Sequence, residues 1–357
     1  MRRVRAALAL LLVGGLAACG TAPDGGTIRT PASRPPSAAG SPAPTGPPEI
    51  TLAFAGDVHF MDRTLKLLDD PNTAFGPIAD QLKSADLALV NLESAVTTRG
   101  TPEPKAFHFR APASAYSAIK AAGVDVVTLA NNHALDYGRV GLSDTLAAAK
   151  AAEMPYFGAG ANAAEAYAPY VTTIKGVKFA FIGFDQFFEL WQQWKATETQ
   201  SGIAMAWDLT RARAAAKAAR AQADVLIVYM HWGDEGVECP TKGQQNFAAE
   251  MVKAGADMVI GTHAHLLMGD GYLGKAYVQY GLGNFVWYHD DAWSNDTGVL
   301  RVTLKGTKIT KTELVPASIS RTTGQPLPAT GAEATRISTK YAGLRACTKL
   351  SATPTAP

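Results

Sequence analysis

Five of the seven histidines of this 357-residue chain lie in short polar motifs, each of which follows an apolar run. The motifs are Asp57-Val58-His59, Asn132-His133, His231-Trp232-Gly233 and His263-Ala264-His265. The apolar runs are typical of strands, and open α/β sheets place their chemistry at the carboxyl ends of strands. Neutral imidazoles with a carboxylate and an amide form a nitrogen and oxygen ligand set that suits Zn, Mn or Fe.

The spacing within two of the motifs supports a shared site. Asp57 and His59 are two residues apart, as are His263 and His265, and alternate residues of an extended segment point to the same side. We therefore predict a metal site with one or two divalent ions. The alternatives are isolated surface or packed histidines, or a site that keeps the fold without its metal.

The amino-terminal residues are typical of a secretory signal. Arginines at positions 2, 3 and 5 precede an apolar stretch over residues 6–16, which is too short to span a bilayer, and Leu16-Ala17-Ala18-Cys19 follows. Small residues before a cysteine resemble the lipobox of bacterial lipoproteins. Residues 1–19 thus predict lipidation at Cys19 and a protein anchored to the outer face of the cell membrane, with ordinary cleavage and a free Cys19 as the alternative.

Composition divides the remaining chain into three parts. Residues 20–48 are rich in Gly, Pro, Ser, Thr and Ala and predict a disordered tether, and residues 351–357 predict a disordered tail. Residues 49–350 are enough for one large α/β domain. The net charge is only +2, and no basic run forms a stripe beyond the signal, so the sequence gives no argument for nucleic acid as a partner.

Cys239 and Cys347 form the one remaining cysteine pair in a chain expected in an oxidising compartment. The pattern leaves two possibilities open: a disulfide between the carboxyl-terminal segment and the loop after His231, or two free thiols.

Apolar runs alternate with Ala-rich stretches in a βαβα order. Strands are predicted at residues 50–55, 87–92, 124–130, 225–230 and 258–261, and helices at residues 113–122, 140–152, 210–221 and 244–254. Residues 171–174 and 179–184 predict a hairpin, which indicates a mixed sheet. Residues 278–286, 299–304 and 308–315 predict a closing antiparallel meander, and the aromatic-rich residues 184–207 predict either a lid or wall of the site or an excursion packed on the core.

The order of these motifs resembles that of the calcineurin-like metallophosphoesterases, and longer strings resemble the CapA (poly-γ-glutamate capsule synthesis) family. The strings run over roughly residues 51–304 and are Val90-Asn91-Leu92-Glu93, Phe109-Arg110-Ala111-Pro112, Asn131 to Gly138, His231 to Glu235, Gly261 to His265 and Tyr280 to Phe285.

The resemblance implies a four-layer α/β/β/α sandwich with mixed sheets, and metals held by loops at the sheet edge. By the same resemblance Asp57, His59 and His265 hold one metal, and Asn132, His231 and His263 hold the other. Asp57 and Glu93 are the candidates to bridge the two ions, although the superfamily usually has an aspartate where this chain has Glu93.

The resemblance also implies that His133 faces the phosphate and stabilises or protonates the leaving oxygen. Superfamily members usually place an acidic residue directly after this histidine, whereas this chain has Ala134 there and Asp136 two residues further on. Asp136 either orients His133 or caps the following helix. Lys105, His108 and Arg110 lie in one segment, and either Lys105 and Arg110 bind an anionic substrate or all three are solvated.

Two functions remain open from the sequence. The first is a membrane-anchored metal-dependent hydrolase of phosphoester type, acting on a phosphoester or on a capsule or cell-envelope polymer. The alternative is a non-catalytic binding or assembly factor for an anionic capsular polymer. The sequence has no G-x-S-x-G elbow, no phosphate-binding loop and no dinucleotide fingerprint, and Cys239 lacks a base placed beside it.

Overall fold

A computed structural model describes residues 46–355. The predicted signal, Cys19 and most of the predicted tether therefore lie outside the described residues. Within the described range, no helix is both long and apolar enough to cross a bilayer.

The strands of the described part begin and end as follows. They are β1 (Glu49–Val58), β2 (Leu87–Leu92), β3 (Ala95–Val96), β4 (Arg110–Ala111), β5 (Val126–Thr128), β6 (Tyr156–Phe157), β7 (Ala159–Gly160), β8 (Tyr170–Ile174), β9 (Val177–Asp185), β10 (Gly202–Ile203), β11 (Val225–Trp232), β12 (Met258–His263), β13 (Asp270–Leu273), β14 (Ala276–Gln279), β15 (Asn284–Val286), β16 (Asp296–Lys305), β17 (Lys308–Ile319) and β18 (Pro326–Pro328).

The α-helices lie between these strands or follow them. They are α1 (Ala79–Lys83), α2 (Ser114–Ala121), α3 (Gly138–Ala151), α4 (Ala163–Ala166), α5 (Trp191–Trp194), α6 (Leu209–Arg220), α7 (Lys242–Lys253) and α8 (Gly331–Leu344). The 3₁₀ turns are Asp62–Asp69, Pro71–Thr73, Gly76–Ile78 and Arg345–Cys347.

Two mixed sheets form the centre of the domain. The first has the order β18-β17-β16-β1-β2-β5-β6, with β15 also pairing with β1, and the second has the order β13-β14-β12-β11-β9-β8. In each sheet the central strands are parallel, and the strands β16 to β18, β8 and β13 pair antiparallel. The predicted hairpin is β8 and β9.

The side chains of β1 show why the sheets stack. Leu52 and Phe54 pack between the two sheets, against residues of β9 and β11, whereas Ala53 and Ala55 face the helical side, where α2 and α3 pack. β11 alternates in the same way, with Val228 facing α6 and α7. Apolar residues on both faces require a cover on both faces, so the layers run helix, sheet, sheet, helix. The predicted four-layer α/β sandwich is confirmed.

The predicted antiparallel meander is wrong in its first strand. Residues 278–286 divide between β14, which is parallel to β12 in the second sheet, and β15, which is parallel to β1 in the first. Gly283 allows the turn because its φ is +67°, a conformation that costs glycine little. The crossing from one sheet to the other places Asn284 beside Asp57.

The carboxyl-terminal residues differ from the disorder that their composition predicts. Ser351 exchanges backbone hydrogen bonds with Tyr272, and the N–H of Thr355 donates to the carbonyl of Gly274 at 2.9 Å. These bonds extend the second sheet at its β13 edge, which explains the order as far as Thr355; residues 356–357 lie outside the described range.

Candidate metal centre

Asp57 lies near the end of β1 and is completely buried. Its Oδ1 accepts a hydrogen bond from Asn91 Nδ2 at 2.8 Å, and its Oδ2 accepts one from the backbone N–H of His263 at 3.1 Å. Burial raises the pKa of Asp57, but its interactions with His265 and His231 outweigh burial, so the pKa lies below its ordinary value. Asp57 is therefore ionised and positioned by both sheets.

Glu93 follows β2 and is also completely buried. Among the residues that the structure describes, neither carboxylate oxygen of Glu93 has a hydrogen-bond donor. Burial and the neighbouring charge of Asp57 raise the pKa of Glu93 well above its ordinary value. A buried carboxylate without donors is costly unless a cation binds it.

His231 is the penultimate residue of β11 and lies between the two carboxylates. Its Nε2 lies 2.8 Å from Asn132 Oδ1, 3.0 Å from His263 Nδ1 and 3.3 Å from Glu93 Oε1. Burial lowers the pKa of His231, so the imidazole is neutral and has a nitrogen lone pair available for a metal.

His263 and His265 lie on a backbone that only a few non-glycine residues adopt. Their φ values are +89° and +61°. Such strain is concentrated at functional sites, where the surrounding structure holds it. His265 Nδ1 lies 2.8 Å from Asn284 Oδ1 and 3.7 Å from Asp57 Oδ2. Burial lowers the pKa of His265, but the interactions with Asp57 and Glu93 outweigh burial and raise the pKa to about 9.

These side chains form two overlapping groups of possible metal ligands. One group is Glu93, His231 and His263, and the other is Asp57, Glu93 and His265; within each, the ligand atoms lie within 4.8 Å of one another. The unsatisfied oxygens of Glu93 and the unpartnered Nε2 of His263 fit a bound cation. The residues therefore suit a divalent metal, and Glu93 is common to both groups, which is the position that the bridging prediction requires.

His59 belongs to neither of these groups in the described part of the chain. Its ring stacks on Phe109 with centroids 4.3 Å apart and meets Trp287 and Tyr288 edge-on. Neither ring nitrogen has a partner among the described residues, and burial lowers the pKa of His59 well below its ordinary value. The structure thus places His59 in neither ligand group, and its predicted ligand role stays a prediction.

His133 is held by a buried ion pair. Its Nδ1 lies 2.6 Å from Asp136 Oδ2, and the other oxygen of Asp136 lies 2.7 Å from Lys105 Nζ. His133 Nε2 is 3.8 Å from Glu93 Oε1 and so points toward the metal groups. Of the two roles predicted for Asp136, the geometry favours orienting His133, since no side-chain cap at the start of α3 is formed.

The two residues predicted to bind substrate do not offer free positive charges to the site. The side chain of Lys105 is only 3% exposed and is paired with Asp136. The guanidinium of Arg110 lies over the ring of Tyr137 and donates to the carbonyl of Arg99. Adjacent residues of an extended segment point in opposite directions, and since Phe109 faces the site, Arg110 faces away from it.

A cavity of about 140 Å³ opens beside the metal groups. It is lined by Phe107, Phe109, His133, Glu235, His265, Trp287, Tyr288, His289, Asp291, Trp293 and Ser294.

The segment 184–207 combines its two predicted roles, a wall of the site and an excursion packed on the core. Phe187 contacts His263 with ring centroids 4.8 Å apart, whereas Trp194 is buried in the core.

Sequence reasoning missed several polar residues of the site. Asn91 and Asn284 each bond to one of the predicted ligands, and Asp185 ends β9 beside His231, where burial raises its pKa to about 7. Asn91 and Asp185 are polar residues at or near the carboxyl ends of buried parallel strands. The strand-end rule that located the histidines would have found them too.

A disulfide joins Cys239 to Cys347 with Cα atoms 5.6 Å apart. It connects the loop after β11, which follows His231 and Glu235, to the turn after α8. The pairing that the sequence left open is confirmed.

The fold and these residues define a class, an α/β-sandwich protein with a candidate divalent-metal centre at the edge of its two sheets. Comparison with known proteins gives the family. The chain matches the family described as bacterial capsule synthesis protein PGA_cap over residues 51–289, and it belongs to that family.

Individual relatives agree with this membership. The chain is 30% identical to the capsule biosynthesis protein CapA of Bacillus anthracis, covering 80% of this chain and 70% of that protein. It is 27% identical to the PGA biosynthesis protein CapA of Bacillus subtilis (strain 168), covering 78% and 74%. Among solved structures, a phosphatase from Mycoplasma pneumoniae aligns with 76% of this chain and 94% of its own at 14% identity and a TM-score of 0.49.

Proposed function

We propose that this protein is a metal-dependent hydrolase of phosphoester type that acts in capsule, poly-γ-glutamate or cell-envelope polymer metabolism. The observation that carries the proposal is the pair of overlapping ligand groups that share the unsatisfied carboxylate of Glu93. The names of the relatives, capsule and PGA biosynthesis proteins, supply the biological setting.

The proposed metals would be held by six side chains: Asp57, Glu93, Asn132, His231, His263 and His265. When bound, divalent ions at such a site lower the pKa of a water molecule and neutralise charge that develops on a phosphoryl group. Zn, Mn and Fe all suit this mixed nitrogen and oxygen ligand set.

His133 is the proposed proton-exchanging residue. Because Asp136 accepts the hydrogen bond from Nδ1, the Nε2 atom that points toward Glu93 is left free to take up a proton. Burial lowers the pKa of His133 well below its ordinary value, so the imidazole is neutral until an anionic substrate arrives. The negative charge of the substrate favours the protonated imidazole, so Nε2 can take up a proton from solvent and donate it to the leaving-group oxygen.

The proposal is tested by metal content and turnover measured together. Mass spectrometry of the full chain and hydrolysis of bis-p-nitrophenyl phosphate, with and without added Mn, are compared for wild type, His231→Ala and His108→Ala. His108 is the matched control because it belongs to neither ligand group of the described residues, and its Nε2 bonds to the carbonyl of Glu103. We expect bound metal and turnover in wild type and the control, with both lost in His231→Ala.

A second function, a non-catalytic assembly factor for an anionic capsular polymer, is favoured by one observation. A Mycobacterium tuberculosis relative, 30% identical over 191 residues and covering 51% of this chain and 50% of that protein, is described as a probable polyglutamine synthesis accessory protein. Bound metal without turnover of any phosphoester would favour this function. Absence of metal from wild type would contradict the hydrolase and the assigned metal centre.

The proposed location is the outer face of the cell membrane, through a lipid on Cys19. The motif Leu16-Ala17-Ala18-Cys19 and the disulfide elsewhere in the chain support it. Labelling cells with a radioactive fatty acid tests it: wild type should carry the label and sediment with membranes, and Cys19→Ser should do neither. An unlabelled wild-type protein would refute the anchor.

A further inference from the structure

The mouth of the cavity beside the metal groups exposes large aromatic rings. Phe107 and Trp293 are 59% and 48% exposed, although both line the cavity. Trp287 and Tyr288 form the inner wall, with ring centroids 5.7 Å apart. Exposed aromatic faces grouped around one concave site indicate a ligand that covers them.

The wall is held in place from behind. The guanidinium of Arg63 donates to the backbone carbonyls of Trp287 and His289, and the N–H of Trp287 donates to the carbonyl of Gly324 at 3.1 Å. The positive charge of Arg63 is therefore directed at the backbone of the wall and away from the cavity. A fixed wall keeps the aromatic faces open for a ligand.

The exposed carboxylates at the cavity mouth are negative, whereas His265, whose pKa is raised to about 9, lies further in beside the metal groups. Glu235 and Asp291 line the mouth, and along the described chain no lysine or arginine contributes to the lining. Burial and then the charges of Asp62, Glu93, Glu235 and Asp291 raise the pKa of Tyr288 to about 12, which agrees with a negative potential at this wall. His289 contacts Asp291, with its Nδ1 3.0 Å from Oδ2.

Aromatic faces combined with carboxylates are the recognition chemistry of organic cations. A polyanion would meet two carboxylates here and no lysine or arginine, and the imidazole of His265 already faces Asp57 and Glu235, at 3.7 Å and 3.8 Å. A neutral sugar would stack on the same rings but would gain nothing from the negative charge. The chemistry of the mouth thus favours a cation of the quaternary ammonium type.

We propose that the aromatic mouth formed by Phe107, Trp287, Tyr288 and Trp293 binds an organic ammonium group of the substrate. This inference rests on the proposed function, since it makes the preferred substrate a phosphodiester whose phosphate lies at the metals and whose alcohol carries the cation. The ammonium subsite itself is a binding property and exists whether or not the chain turns over phosphoesters.

Binding is tested first, without catalysis. Choline chloride and its uncharged isostere 3,3-dimethylbutan-1-ol are titrated into the full chain, metal-free and metal-loaded, at constant ionic strength, and followed by ligand-observed NMR. We expect choline to bind about tenfold more tightly than the isostere. Equal binding of the two, or binding of methyl glucoside in place of choline, would overturn the proposal.

Variants locate the subsite. Trp293→Ala and Glu235→Gln should each weaken choline binding about five- to tenfold, as expected for loss of one cation–π face or one carboxylate. Trp207→Ala is the matched control, because Trp207 is comparably exposed at 43% and contacts Phe188 outside the cavity. The same choline affinity in Trp293→Ala and Glu235→Gln as in Trp207→Ala and wild type would refute the assigned subsite.

Turnover separates this inference from the proposed function. The kcat/KM of p-nitrophenyl phosphorylcholine should exceed that of its 3,3-dimethylbutyl analogue about tenfold in wild type, and the ratio should fall toward one in Trp293→Ala. Choline binding with no hydrolysis of either ester would contradict the phosphoesterase function and leave the ammonium subsite standing. Hydrolysis of both esters with equal kcat/KM would contradict the ammonium subsite and leave the phosphoesterase function standing.

Discussion

Substitution of Lys105 by methionine removes the positive charge from the buried pair beneath His133. In the wild-type protein Asp136 has a pKa of about 6 against an ordinary value of 3.8, mainly because of burial, with Lys105 lowering it again. Because the pKa of Asp136 is higher in the folded protein than in the unfolded chain, the ionised carboxylate destabilises the folded state. Above pH 6 this cost is about 3 kcal/mol. Without Lys105 the pKa of Asp136 rises further.

The expected loss depends on pH. At pH 8 a buried Asp136 without its partner is protonated, which costs about 6 kcal/mol relative to the unfolded chain, so Lys105→Met should lower the free energy of unfolding by about 3 kcal/mol. At pH 5 Asp136 is mostly protonated in both proteins. The loss should then be close to zero.

Urea unfolding of the metal-free full chain at pH 5 and pH 8 measures this difference. Asp136→Asn in the Lys105→Met background should restore most of the stability at pH 8, because no buried carboxyl then needs a proton. Lys311→Met, which breaks an exposed pair with Glu313, is the control and should change little at either pH. A loss that is the same at both pH values, or that Asp136→Asn does not reduce, would refute the reasoning.

Three further outcomes are expected. Cys347→Ser should lower the free energy of unfolding by about 2–5 kcal/mol, measured by urea unfolding with and without reductant, since the bond to Cys239 closes a loop of 108 residues; a reductant-insensitive wild type would contradict this. Gly56→Ala should cost about 3 kcal/mol or more in the same assay, because a Cβ there would lie 1.8 Å from a backbone carbonyl oxygen. Metal binding at pH 7 should release about one proton from His265, whose pKa is raised to about 9, and further protons from Glu93, whose pKa is also raised. Metal affinity should therefore weaken about tenfold or more for each unit by which the pH falls. Calorimetry in buffers of different ionisation enthalpy measures the released protons, and a binding heat that is the same in every buffer would argue against their release.

The sequence predicted the parts of the site that depend on strand ends. Apolar runs locate strands, and parallel strands in one sheet deliver their carboxyl ends to one edge, so Asp57 and Asn132 lie at the same edge of the first sheet. His231 lies at the corresponding edge of the second sheet and meets them because the two sheets stack. The ligand role predicted for His59 stays a prediction, since His59 belongs to neither ligand group of the described residues. The pairing of β1 with β15 shifts between Asp57 and Val58, so the regular alternation on which that prediction rests is interrupted at this point.

Loops account for the other differences. Lys105 is charged and lies on a loop, a pattern typical of a solvated residue, but its burial depends on Asp136 from a distant part of the chain. The division of residues 278–286 between two sheets depends on the backbone of Gly283 and on the partner strands β1 and β12. Partners that are remote in sequence cannot be inferred from a local pattern.

The order of strands in the first sheet has a consequence for biosynthesis. β1 is the first of the described strands to leave the ribosome, yet it lies in the middle of the sheet and pairs with β16, which ends at Lys305. The emerging chain cannot complete this sheet until nearly all of it has been made, and such long-range pairing is slow. A chain that stays open until its synthesis is almost finished is compatible with the proposed export, in which an unfolded chain would pass through a translocation channel.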